Sequence, residues 1–244
     1  MGITEQANVL RVVAPKMLCD TSLGDDIPPP CPRGHFFWGV FGSAGRGKSS
    51  YLISLLSAKG ANRVYRKVFH NIWFVVPEHS MASVGHSIFR DHDPEKLFHE
   101  LIVKNLETIK ALVEREALEG YNSLLVIDDQ TAYFKDRGVE RLLRYLIFNR
   151  RHLRLSVFLL AQSYNQLPLS IRKTLSHFTM FAPANRKETQ SVFEELIFLP
   201  KDAADELVRY VFRDKHDTLF GNTLTARSIG TSTGSCSTFN ARNL

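Results

Sequence analysis

With 244 residues, 44% of them hydrophobic and 23% charged, the chain can bury a full domain core without needing a metal or disulfide staple. Its three cysteines, Cys19, Cys31 and Cys236, are scattered with no C-x-x-C spacing, which argues against a zinc site or disulfide framework and suits a reducing compartment. A formal net charge of +6 and a pI near 9.3 permit a polyanionic partner such as DNA without requiring one.

In chain order, residues 1–34 carry little pattern and read as an N-terminal extension. Val9–Ala14 is too short, and too soon broken by Arg11, for a secretory leader. Asp25 to Pro30 reads as stiff and extended. From His35 the character changes: Phe36 to Phe41 is almost wholly apolar, as a central parallel strand covered on both faces should be. A glycine-rich loop follows, then a helix from Tyr51 to Ala58 and a second strand from Val68 to Val76. Asp93-Pro94-Glu95 has the form of a helix start, and the apolar period from Leu97 to Val113 predicts that this helix runs to Gly120.

A third strand, Leu124–Ile127, leads into Asp128-Asp129. A helix over Val139–Arg151 precedes a fourth strand, Leu155–Ala161, which ends at Gln162. Phe178–Phe181 is a fifth strand, followed by helices at Arg186–Ile197 and Ala203–Phe212. Alternating strands and helices predict an α/β domain over residues 35–225, a mostly parallel sheet with helices on both faces. The Ser- and Thr-rich segment over 226–244 is expected to be a disordered tail. No apolar run reaches the roughly 18 residues a membrane span needs, so no membrane partner is expected.

Gly42-Ser43-Ala44-Gly45-Arg46-Gly47-Lys48-Ser49 fits G-x-x-x-x-G-K-[ST] at every fixed position, between a strand and a helix. Such a loop turns backbone N–H groups toward phosphates; with Ser50 it forms the expected ATP-binding segment. Lys48 is expected to reach the β- and γ-phosphates, and the Ser49 hydroxyl to hold Mg2+. Asp128, ending a neighbouring strand, is the second expected metal ligand, and Asp129 the base that polarises the attacking water. Gln162 ends a further strand on the same edge and can orient water or sense the γ-phosphate. Plain alternatives stay open at single positions: Asp129 as a helix cap, Gln162 as a structural amide, Arg46 as a solvated side chain.

Arg141, Arg144 and Arg151 are expected on one helical face, with Arg150 and Arg154 nearby. A helix that returns down the sheet carries Arg150 and Arg151 to the edge away from the chain's own ATP. Arg151 then suits an arginine finger given in trans, in a head-to-tail ring, better than one acting in cis, while a solvated basic face or simple surface ion pairing stays open for any single arginine. Arg172-Lys173 and Arg186-Lys187 form a second basic group able to meet DNA phosphates.

The loop, the strand into Asp128-Asp129, and Phe148 to Val157 leading to Ala161-Gln162-Ser163-Tyr164 and Leu167 to Lys173 together resemble the FtsK–HerA superfamily. The resemblance is nearest to the genome-packaging ATPases of poxviruses, giant DNA viruses and virophages, and spans about residues 35–225. It implies a RecA-like P-loop core in a pentameric or hexameric ring that pumps double-stranded DNA into a capsid within an infected cell. It also implies the roles given above to Lys48, Ser49, Asp128, Asp129 and Gln162. The superfamily often carries Asp-Glu where this chain has Asp128-Asp129, one methylene shorter at the catalytic acid. Other readings compatible with the residues are a plasmid or chromosomal DNA pump, a small-molecule kinase, and a non-catalytic ATP-binding assembly factor. A GTPase is disfavoured by the lack of an N-K-x-D motif.

Overall fold

The computed structural model describes residues 21–82, 92–198, 201–223, 228–233 and 235–240. The Val9–Ala14 run and Cys19 lie outside them, as do residues 1–20 of the expected extension and 224–227, 234 and 241–244 near the carboxyl terminus.

The chain alternates strand and helix: β1 (Phe37–Phe41), α1 (Lys48–Ser57), β2 (Asn71–Val75), a single turn α2 (Glu78–Ala82), β3 (Leu97–Phe98), α3 (Val103–Leu118), β4 (Ser123–Asp128), α4 (Arg137–Phe148) and β5 (Leu155–Ala161). There follow a short α5 (Leu169–Arg172), β6 (His177–Phe181), α6 (Arg186–Val192), α7 (Lys201–Val211) and β7 (Thr218–Asn222), then β8 (Ser228–Thr233) and β9 (Ser235–Asn240). All belong to one sheet of order β3-β2-β4-β5-β1-β6-β7-β8-β9. The first six in that order are parallel and the last three antiparallel.

Strand pleating explains the near-continuous apolar runs. Phe37 and Phe41 of β1 face a core built with α3, α4, α6 and α7, while Trp38 and Val40 face a second core under α1. Every residue of β1, β4 and β5 is buried, so helices do cover both faces. Glu116 of α3 is also buried; its carboxylate accepts from Ser123 Oγ at 2.6 Å and from the Trp73 indole at 3.4 Å, so this buried charge is hydrogen-bonded.

Three expectations change. Asp93 does cap a turn, accepting from Glu95 N–H, but the turn is a 3-10 helix over Pro94–Lys96 and the long helix begins only at Val103. Between them, Leu97 and Phe98 pair with Phe74 and Val75 as a parallel edge strand, and the Gln130 side chain holds His99 O and Leu101 N–H. Helix α4 ends at Phe148, so Arg151 lies in the turn beyond it rather than on its face. The segment expected to be a disordered tail carries β8 and β9, an antiparallel extension of the sheet rich in Thr and containing Ile229 and Phe239, residues that favour strands.

Residues 21–34 also fold against the sheet. Leu23 and Ile27 are buried in the α1-side core, and the Tyr65 hydroxyl donates to Pro32 O at 3.0 Å.

Candidate active site

Three strands end side by side at the carboxyl edge of the sheet, and each delivers part of one site. β5 lies between β4 and β1, with Asp128 level with Leu160 and Phe41 level with Ala161. The ladder runs one step further: Gly42 N–H donates to Ala161 O and Asp129 N–H to Leu160 O, each at 3.2 Å. The loop, the acid pair and Gln162 are thereby brought to one edge, where ligands bind in such sheets.

Glycines shape the loop. Gly45 and Gly47 have φ of 73° and 104°, which favour glycine, and a Cβ on Gly42 would lie 2.8 Å from Phe181 Cβ. Helix α1 starts at Lys48 with Gly47 as its cap residue, no side-chain cap and no acid in its first turn. Its first N–H groups and the positive end of its dipole are left for an anion.

The charged residues converge here. The Lys48 ammonium donates to Gly42 O at 2.5 Å and Ser43 O at 3.3 Å, across the loop's own carbonyls. Burial lowers its pKa, opposed by the charges of Asp128 and Asp129. Ser49 Oγ donates to Asp128 Oδ2 at 3.2 Å. Burial raises the Asp128 carboxyl to about 6, with the Ser49 hydrogen bond and the Lys48 charge pulling it down and the Asp129 charge pushing it up. Asp129 has φ of 51°, a left-handed backbone uncommon outside glycine. The Gln162 amide donates to both its oxygens, at 3.1 and 3.3 Å.

The adjoining Ser49 hydroxyl and Asp128 carboxylate fit magnesium, which keeps several waters and takes only one or two protein oxygens beside substrate phosphates. Among the described residues no group of three or more His, Cys, Asp or Glu gathers as a metal cage.

The arginines divide. Arg150 turns inward: its Nη1 donates to Ile147 O at 3.0 Å, its Nε is buried without a partner, and burial lowers its pKa. Arg151 is exposed, in the turn that enters β5 at the amino edge, the opposite end from the loop. Arg172 is not free for DNA as expected. Its guanidinium pairs with Glu195 at 3.2 Å, donates to Asn165 Oδ1 at 2.9 Å and lies over the Tyr164 ring. Lys173, Arg186 and Lys187 are exposed.

Sequence reading missed the residues on another flank of the loop. Arg46 is half-buried and not merely solvated: its Nη1 reaches Lys215 O at 3.4 Å, while His216 Nδ1 meets Arg46 O at 3.0 Å. No spacing in the sequence connects residue 46 with residue 216.

The model of the family described as Poxvirus A32 protein matches residues 33–195. No curated protein matches the chain. Among solved structures, it is similar to B204, the DNA-packaging ATPase of Sulfolobus turreted icosahedral virus, at 17% identity and a TM-score of 0.58, covering 81% of this chain and 97% of that one. It is also similar to the genome-packaging NTPase B204 of Sulfolobus turreted icosahedral virus 2, solved with ATP-gammaS, at 15% identity and a TM-score of 0.52, covering 82% and 97%. The same protein solved with AMP matches at 17% identity and a TM-score of 0.54, with the same coverage. At these identities the likeness is one of fold, a RecA-like P-loop NTPase with a mostly parallel sheet.

Proposed function

Because the chain belongs to the poxvirus A32 family, whose model matches residues 33–195, we propose that it is a viral genome-packaging ATPase, which hydrolyses ATP with Mg2+ to drive double-stranded DNA into a capsid. The observation that carries this reading is the single sheet edge that gathers Lys48, bonded to the loop carbonyls, Ser49, bonded to Asp128, and Gln162, bonded to Asp129. Each has a task set by its surroundings. The open N–H groups of the loop and of α1 bind the phosphate chain, and Lys48 neutralises it. Ser49 and Asp128 hold the magnesium, which supplies charge neutralisation on the phosphates when bound. Asp129 accepts the proton of the attacking water, and the Gln162 amide, bridging both its oxygens, fixes its orientation.

Packaging further calls for a homo-oligomeric ring, pentameric or hexameric, working in the infected cell where genome meets capsid. The exposure of Arg151 at the edge opposite the loop supports its service as a finger to a neighbour's ATP, and the inward packing of Arg150 weighs against that residue. Lys173, Arg186 and Lys187 remain the basic side chains suited to DNA phosphates.

The test separates binding from chemistry. Asp129→Asn should bind ATP as the parent does and turn it over at least about a hundredfold more slowly, the scale of a lost general base. Undiminished turnover would remove Asp129 from the mechanism. Displacement of a third strand from triplex-bearing duplex DNA, dependent on ATP, tests translocation itself.

A further inference from the structure

The loop borders a second cavity, of about 260 Å³, lined by none of Lys48, Asp128, Asp129 and Gln162. Four elements wall it: Arg46 of the loop, Ser50 and Tyr51 of α1, Phe181 at the end of β6, and His216 with Thr218 at the entry to β7.

These walls are held in place before any ligand arrives. The Tyr51 hydroxyl accepts from Thr179 Oγ1 at 3.2 Å, and Thr179 Oγ1 in turn accepts the Trp38 indole N–H at 3.0 Å. The Tyr51 and Phe181 rings meet edge to face at 6.4 Å between centroids. On the opposite wall the His216 Nδ1–H donates to Arg46 O at 3.0 Å, and the Arg46 guanidinium returns a bond to Lys215 O. The Asp217 carboxylate tightens that turn by accepting the N–H groups of Arg213 and Asp214, at 2.9 and 2.7 Å. His216 sits close against the loop, since a Cβ on Gly47 would lie 3.4 Å from its Nδ1.

Phosphates occupy a loop of this kind through its backbone, and that leaves the flat base and ribose of a nucleotide in need of walls of their own. Cavities that take a whole ligand start near about 300 Å³, so one of this size beside a phosphate loop suits the part of the ligand that is not phosphate. Planar imidazole, guanidinium and phenyl surfaces are what an aromatic base packs against. We propose that this cavity receives the nucleoside half of the bound nucleotide, and that His216, latched to Arg46, is the residue that sets nucleoside affinity. The assignment rests on the ATP reading above, and its test is arranged to fail separately from it.

Calorimetric titration of the full chain with Mg-ADP and, in parallel, with magnesium tripolyphosphate compares a ligand that has a nucleoside with one that lacks it. His216→Ala should weaken ADP by about tenfold, a loss on the scale of one aromatic contact, and leave tripolyphosphate unchanged. His216→Phe, which keeps a flat ring but loses the bond to Arg46 O, should recover most of the ADP affinity. Equal weakening of both ligands would mean that His216 only shapes the phosphate loop, and would overturn the assignment. No change in either, with Lys48→Ala abolishing both, would overturn it while leaving the ATP reading intact. Binding of both ligands by Lys48→Ala at parental affinity would overturn the ATP reading and this assignment with it.

Discussion

At the scale of single residues, the site depends on how Asp128 and Asp129, adjacent in sequence, come to have different environments. Asp128 ends β4 inside the sheet and is 6% exposed, next to the Ser49 hydroxyl. One residue on, the left-handed backbone of Asp129 takes its carboxylate out to the exposed Gln162 amide. If Asp129 is the proposed base, Gln162→Ala should act on turnover more than on binding, lowering kcat by about tenfold with KM near the parental value, because it releases the orientation of that base rather than a ligand contact. A rise in KM with unchanged kcat would instead make Gln162 a binding group. The loop was readable from the chain because a fixed spacing carries its chemistry, and the acid pair because it ends an apolar strand. Gln162 was readable because its strand is apolar to its last residue. Arg46 and His216 were not, because their contact spans 170 positions and uses a backbone oxygen that no side-chain pattern records.

At the scale of elements, the strands were legible and the boundaries around them less so. Leu97 and Leu101 fit a helical period, yet Leu97 pairs with Phe74 in the sheet, a tertiary contact that overrides the local signal. Asp93-Pro94 looks the same at the head of a 3-10 turn as at the head of a helix. The amino edge of the sheet holds a second element-level property. His35 and His177 are buried there, and burial together with the charges of Arg150 and, for His35, Arg154 depresses each from 6.5 to about 4. Unfolded, both would take up a proton on acidification; folded, they resist it. Their stabilisation is thus full above pH 6.5 and is lost progressively as pH falls toward 4, by about 2 kcal/mol per histidine at pH 5. Thermal melts should show Tm falling between pH 7 and pH 5, and His177→Asn should flatten that slope. A parental slope in this variant would contradict the assignment.

At the scale of the whole molecule, the sheet places the phosphate loop and the acid pair at its carboxyl edge and Arg151 at its amino edge, the separation on which the proposed finger in trans depends. This separation followed from the direction of a β–α–β unit, so it was visible in the sequence, whereas the inward turn of Arg150 depends on where α4 stops and was not. If a neighbour completes the site, mixing inactive Arg151→Ala and Lys48→Ala subunits should restore part of the activity, since some interfaces then join an intact loop to an intact arginine. Verified mixed rings without recovery would count against Arg151. The central claim, that this edge hydrolyses ATP in the service of DNA movement, is tested most directly by steady-state ATP hydrolysis of the assembled protein with Mg2+, with and without duplex DNA. The expected result is turnover that duplex DNA stimulates and that Lys48→Ala abolishes. Turnover indifferent to DNA, or surviving in Lys48→Ala, would contradict it.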